Sequence, residues 1–191
     1  MLSQPVINSV MKRTEHLQID KVNVVKNLSN ELDEDGIINL KILRLSNGGL
    51  EYLIDTRKSI PPTGTFGKLE LLELVRLPDL IQICNGNLSR MEHIGRGVFE
   101  PQLFCNLKNL YICGCGKIRS MFSETVAKCM VNLQFLYIVR FWKLDEVVST
   151  DTIEKEVSDM LGFPKLKEVT LHDLISFKSF RSQYICLTLF N

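Results

Sequence analysis

The sequence predicts an α/β solenoid: an arc of short strands forming one parallel sheet on the concave side, with loops, turns and short helices returning along the convex side. Three observations carry that prediction. A six-residue pattern, L-x-x-L-x-L, recurs along the chain; its fourth and sixth positions are aliphatic in every copy; and the same apolar offsets continue past the pattern in several copies.

The fourth and sixth positions are Leu17 and Ile19, Leu43 and Leu45, Leu72 and Leu74, Leu110 and Ile112, Leu136 and Ile138, and Val169 and Leu171. The first position is Leu40, Leu69, Leu107, Leu133 and Leu166, with Thr14 the one departure, and successive starts lie 26, 29, 38, 26 and 33 residues apart. Period-two alternation over L-x-L makes a short strand with its leucines on one face. Apolar residues then follow at intervals of three, as in Leu77, Leu80, Ile83 and again in Phe141, Leu144, Val147, which suits a turn or a loose helical return path. One such unit cannot bury its apolar side alone, so neighbours must stack, with strands about 4.8 Å apart and leucines merged into a shared core. This is a leucine-rich-repeat horseshoe of about six irregular repeats, starting near 14, 40, 69, 107, 133 and 166. It spans residues 14–181, with 1–13 as an N-terminal edge and 182–191 as a non-repeat tail.

Uneven repeat lengths fall on the return side. Ser123 followed by Glu124 supplies a capping hydroxyl and a first-turn acid, which places a helix near 123–131. Asn85-Gly86-Asn87 and Gly95-Arg96-Gly97 are turn chemistry, so the longest repeat should hold an irregular loop before Phe104. From Asp145 to Asp159 there are six acids against one lysine, which reads as a solvated segment.

Twenty-three Lys and Arg balance 22 Asp and Glu, so no global field draws in nucleic acid or an anionic membrane surface. No apolar run approaches the roughly 20 residues of a bilayer span, and the first twelve residues lack the pattern of an export signal. Six cysteines, at 84, 105, 113, 115, 129 and 186, form no Cys-x-x-Cys pair, and a core of this size needs no disulfide staples. A reducing cytoplasmic compartment is expected.

Catalysis needs convergent groups, and none are expected here. His16 and His172 fall at outward positions of the first and last repeats, and His93 lies in the long loop. The cysteine spacing matches no zinc pattern, and Cys115 sits where repeats of this kind keep a buried Cys or Asn after the strand. Gly114-Cys115-Gly116-Lys117 lacks the third glycine of a phosphate-binding loop, Arg119 standing in its place. No cofactor and no metal are expected.

Three phrases resemble the leucine-rich-repeat region of plant coiled-coil, nucleotide-binding, leucine-rich-repeat disease resistance proteins. They are Leu77-Pro78-Asp79-Leu80 with Ile83-Cys84; the run from Leu107 to Ser123, continued by Val126-Ala127-Lys128; and Phe163-Pro164-Lys165-Leu166 leading to Leu171-His172-Asp173-Leu174. The resemblance covers roughly residues 35–181 and implies a region that recognises a pathogen effector or a modified host protein and restrains an attached nucleotide-binding module. No G-x-x-x-x-G-K-[ST] loop is present, so the nucleotide switch itself is not implied. A standalone scaffold or adaptor subunit would share the same fold.

A protein partner should meet the outward strand positions. Between the buried pairs lie Gln18, Arg44, Glu73, Tyr111, Tyr137 and Thr170 in order. Tyr111, Phe135 and Tyr137 should meet on adjacent strands, with Arg76 and Arg140 one step beyond, the residue mix enriched in binding hot spots. The candidate protein-binding set is therefore Arg44, Glu73, Arg76, Tyr111, Phe135, Tyr137 and Arg140.

Overall fold

A computed structural model describes residues 14–21, 26, 28, 38–55, 64–85, 103–149 and 163–181. The six L-x-L segments form strands β1 (His16–Asp20), β2 (Ile42–Ser46), β4 (Leu71–Val75), β6 (Asn109–Cys113), β8 (Phe135–Phe141) and β10 (Glu168–Leu174). Between and after them run β3 (Tyr52–Asp55), β5 (Gln82–Asn85), β7 (Ser120–Ser123), β9 (Glu146–Ser149) and β11 (Ser179–Arg181), and the short helix α1 (Glu124–Cys129) follows β7.

The six pattern strands make a single parallel sheet in the order β1-β2-β4-β6-β8-β10. Their register is fixed repeat by repeat: Leu17 pairs with Leu43, Leu43 with Leu72, Leu72 with Leu110, Leu110 with Leu136, and Leu136 with Val169. The four inner members of that row have no accessible surface, whereas Leu17 and Val169 are only partly buried. The two differ because each packs against a described pattern strand on one side only. The first-position residues Leu40, Leu69, Leu107 and Leu133 line the same core.

Backbone hydrogen bonds repeat with the same period. Just before each strand one carbonyl accepts two N–H groups from the next repeat: Glu15 from Lys41 and Ile42, Lys41 from Glu70 and Leu71, Glu70 from Lys108 and Asn109. A left-handed residue with φ between 52° and 66° follows β1, β2, β4 and β6 directly (Lys21, Asn47, Arg76, Gly114) and recurs at the same step inside β8 and β10 (Arg140, Asp173). Only one of the six is glycine. The cost of about 1 kcal/mol for a left-handed non-glycine residue is offset because the turn keeps the ladder going: Lys21, Asn47, Arg76 and Gly114 each donate their N–H to the next repeat's carbonyl at 2.8–3.0 Å.

The return path differs from the expected turn or loose helix. The triplet-spaced residues Ile83, Val147 and Phe180 sit in short strands, and these pair in parallel as β3-β5 and as β11-β9-β7. Each strand turns one apolar side inward while its backbone bonds to the neighbouring turn, and a stretch of four residues with that pattern is not distinguishable from a turn by spacing alone. The convex helix lies where Ser123 and Glu124 place it. Ser123 caps it, its Oγ accepting the Val126 N–H at 3.3 Å, and Glu124 pairs with Lys128 at 3.1 Å one turn on. A further inward column precedes β4, β6, β8 and β10: Phe66, Phe104, Met130 and Phe163 all lie three residues before the first leucine, and the carbonyl of each accepts that leucine's N–H. Phe66 and Phe104 stack with ring centroids 5.6 Å apart.

The long loop around residues 86–102, His93, most of the acidic segment from 150 onward, the N-terminal edge 1–13 and the tail 182–191 lie outside the described residues.

Inner and outer rungs of the leucine row should respond differently to truncation. Leu110→Ala or Leu136→Ala should destabilise the chain by about 2–5 kcal/mol through lost burial and a residual cavity, and the half-buried Val169→Ala by less than half as much, as read from urea denaturation midpoints.

Candidate functional site

In register across the sheet, the outward position between the two buried ones forms one continuous column: Gln18, Arg44, Glu73, Tyr111, Tyr137 and Thr170. Parallel pairing makes this unavoidable. Equivalent positions of adjacent repeats stand side by side about 4.8 Å apart, so each outward residue meets its counterpart from the next repeat rather than a random neighbour. Arg44 Nε donates to Glu73 Oε2 at 2.9 Å, and Tyr111 and Tyr137 face each other with ring centroids 6.2 Å apart and planes tilted by 42°. Tyr111 is 37% exposed, so the ring pair is supported from below by the sheet and open above. Partial burial, then the neighbouring Cys113, pushes the Tyr111 phenol upward; for Tyr137 burial comes first and a hydrogen bond with Glu168 second. Both phenols therefore stay protonated at neutral pH, with the Tyr137 hydroxyl donating to the Glu168 carboxylate.

The remaining expected members fall elsewhere. Phe135 is one outward position back on the same strand as Tyr137, half-buried and in register with Asn109 and Glu168. Arg76 directly follows β4 and Arg140 lies within β8, both in the left-handed conformation that Gly114 shares between them. The structure thus brings together Arg44, Glu73, Tyr111 and Tyr137 and sets the two arginines along the rim. Sequence reasoning did not single out Asp173, which lies 3.8 Å from Arg140 and 3.1 Å from His172 Nδ1, nor Trp142 and Ile175 beyond it.

A second alternating column holds the entrance edge. Lys41 pairs with Glu15 and Lys108 with Glu70, each at 2.9 Å, and the Lys41 ammonium holds the Glu15 carboxyl below its usual range. Exposed pairs of this kind contribute only about 0–1 kcal/mol each. Their regular spacing fixes side-chain position more than it adds stability.

Among the described residues no group of three or more His, Cys, Asp and Glu is arranged to hold a metal, and no helix is long and apolar enough to cross a membrane. His16 and His172 stand on outward positions of the two end strands, 62% exposed for the His172 side chain. Cys115 is fully buried with its thiol 3.9 Å from the Leu74 carbonyl and 3.8 Å from that of Cys113.

A sheet with one leucine face shared between repeats and one polar-aromatic face turned outward is the architecture of a recognition solenoid. The sequence profile described as plant disease resistance protein RPS2-like, leucine-rich repeats, matches residues 2–141. The chain belongs to that family. Within this plant disease resistance repeat family the match takes in the first five pattern strands, and β10 continues the same sheet beyond it. A comparison with curated proteins finds no match, and a comparison with solved structures finds none either.

Burial separates the cysteines by reactivity. Desolvation pushes the thiols of Cys84 and Cys115 up to about 12. Because the thiolate is the nucleophile, iodoacetamide at pH 8 should leave both unlabelled in the native chain and label both after denaturation, as read by peptide mass spectrometry; native labelling of Cys115 would show that the row beneath it opens.

Proposed function

We propose that the chain serves as the protein-recognition region of an intracellular plant immune receptor, sensing a pathogen effector or a modified host protein on its open sheet face and restraining an attached nucleotide-binding module. Family membership supports a role in defence. The observation that carries the recognition reading is the Tyr111–Tyr137 ring pair, flanked in the same column by the Arg44–Glu73 ion pair. Rigid aromatic rings beside a fixed arginine lose little side-chain entropy on binding, which is why such residues dominate hot spots. The stem beneath them is already ordered by the shared core, so a partner meets a preorganised strip. With 23 basic and 22 acidic residues the chain supplies no long-range pull, and selectivity has to come from this local pattern.

Tyr111→Ala should weaken a partner bound on the open face by about 1–2 kcal/mol while leaving the unfolding midpoint nearly unchanged, since the ring is surface-borne. The direct assay is a pull-down of the 191-residue chain against a receptor nucleotide-binding module and against pathogen effectors, at concentrations that reach weak affinities. Recovery of neither class, or equal losses of folding and binding in the Tyr111 variant, would remove the reading.

A further inference from the structure

Near the strand ends the last four repeats each turn two positions outward around one that points in. The outer positions are the left-handed residue and the residue two further on: Arg76 and Pro78, Gly114 and Gly116, Arg140 and Trp142, Asp173 and Ile175, with Leu77, Cys115 and Phe141 buried between. In the repeat that starts at Leu107 both outer positions are glycine. A groove of about 670 Å³ opens there, floored by Gly114 and Gly116 and walled by Pro78 on one side and by Arg140, Trp142, Asp173 and Ile175 on the other.

Neither glycine is demanded by the backbone. Arg76 and Arg140 hold the same left-handed turn as Gly114 with φ of 52° and 60° against its 66°. A Cβ at Gly114 would meet nothing closer than Arg76 at 4.0 Å. At Gly116 it would touch the Pro78 carbonyl at 3.4 Å, an ordinary contact. The missing side chains therefore leave space that the fold does not need for itself.

The walls of that space are chemically specific. Trp142 and Ile175 are 72% and 76% exposed, two large apolar side chains held out in water side by side. Arg76 and Arg140 flank Gly114 from the two neighbouring repeats, roughly two strand spacings or about 10 Å apart. Both are exposed, and Arg76 makes no ion pair among the described residues. Arg140 has only Asp173 at 3.8 Å, the outer limit of an ion pair, and that carboxylate also lies 3.1 Å from His172. A carboxylate seated over Gly114 is within reach of both guanidinium groups.

We propose that this rim groove docks an extended segment of a partner protein that carries an aromatic or branched aliphatic side chain beside a carboxylate. The apolar side chain packs over Gly116 against Trp142 and Ile175, and the carboxylate bridges Arg76 and Arg140 across Gly114. The groove lies on the rim beside the tyrosine strip of the open face, with Arg140 also the charged neighbour of Tyr111.

Trp142 is the one tryptophan in the sequence, so its fluorescence reads the groove directly. The full chain is titrated with the blocked hexapeptide Gly-Asp-Leu-Phe-Asp-Gly and with its counterpart Gly-Lys-Leu-Phe-Lys-Gly. The acidic peptide should produce a saturable blue shift and the basic one none. Arg76→Gln and Arg140→Gln should each weaken the acidic peptide by roughly three- to tenfold, as expected for loss of one charge-assisted contact. Gly114→Arg, which repeats the side chain of both neighbours, should abolish the shift. The proposal is overturned by the absence of a saturable shift, by equal response to both peptides, or by arginine variants that bind as the parent does. It is also overturned if the Trp142 emission shifts with protein concentration alone and sedimentation shows a dimer, since a second copy would then occupy the groove.

Discussion

No repeat of this chain can bury its own leucines. A five-residue strand such as Asn109–Cys113 has two inward aliphatic side chains, and both lose contact with water only because Leu72 and Leu74 stand on one side and Leu136 and Ile138 on the other. Everything else is subordinate to that nearest-neighbour packing. It explains why the inner four leucines of the row are wholly buried and the end members are not. The left-handed turns serve the same end, carrying the hydrogen-bond ladder from one repeat to the next through residues as different as Lys21, Asn47 and Arg76.

The same constraint organises the surface. Once the inward row is in register, every outward position is in register too, so side chains dozens of residues apart in sequence become neighbours: Arg44 with Glu73, Tyr111 with Tyr137, Glu15 with Lys41. Binding features on such a chain are columns rather than loops. Substituting outward positions leaves the core untouched, so the outward columns can change while the leucine row stays fixed. The separation also divides the roles of cysteine, with Cys115 acting as a small apolar plug beneath Gly114 and Gly116.

Much of this was legible in the sequence because two periods are superimposed on it. Alternation over L-x-L identifies the strand and its inward face, and recurrence of the pattern identifies which strands are neighbours, so the pairing of Leu43 with Leu72 and of Tyr111 with Tyr137 follows directly. Ser123 and Glu124 likewise mark the helix start, because a capping hydroxyl and an early acid satisfy a specific pair of demands. The return strands were not legible: Leu80 and Ile83, or Leu144 and Val147, have a spacing of three that a turn, a loose helix and the corner of a short strand all share. The column of Phe66, Phe104, Met130 and Phe163 escaped notice although its offset of three before the first leucine is constant, since the signal is visible only after the repeats are aligned on their starts. Alternation places Arg76 and Arg140 one step beyond the outward strand positions but does not reveal their left-handed backbone, which is shared by six residues with no common side-chain chemistry. The groove was hardest of all, being made by side chains that Gly114 and Gly116 lack.

Native-state hydrogen exchange measures the stacked row most directly, because amide protection reports the free energy of opening each strand. With packing strictly between neighbours, the ladder amides of β4, β6 and β8 should exchange slowest, and protection should fall outward toward β1 and β10. Uniform protection across all six strands, or slower exchange in the convex helix than in β6, would contradict a core built from one shared row of leucines.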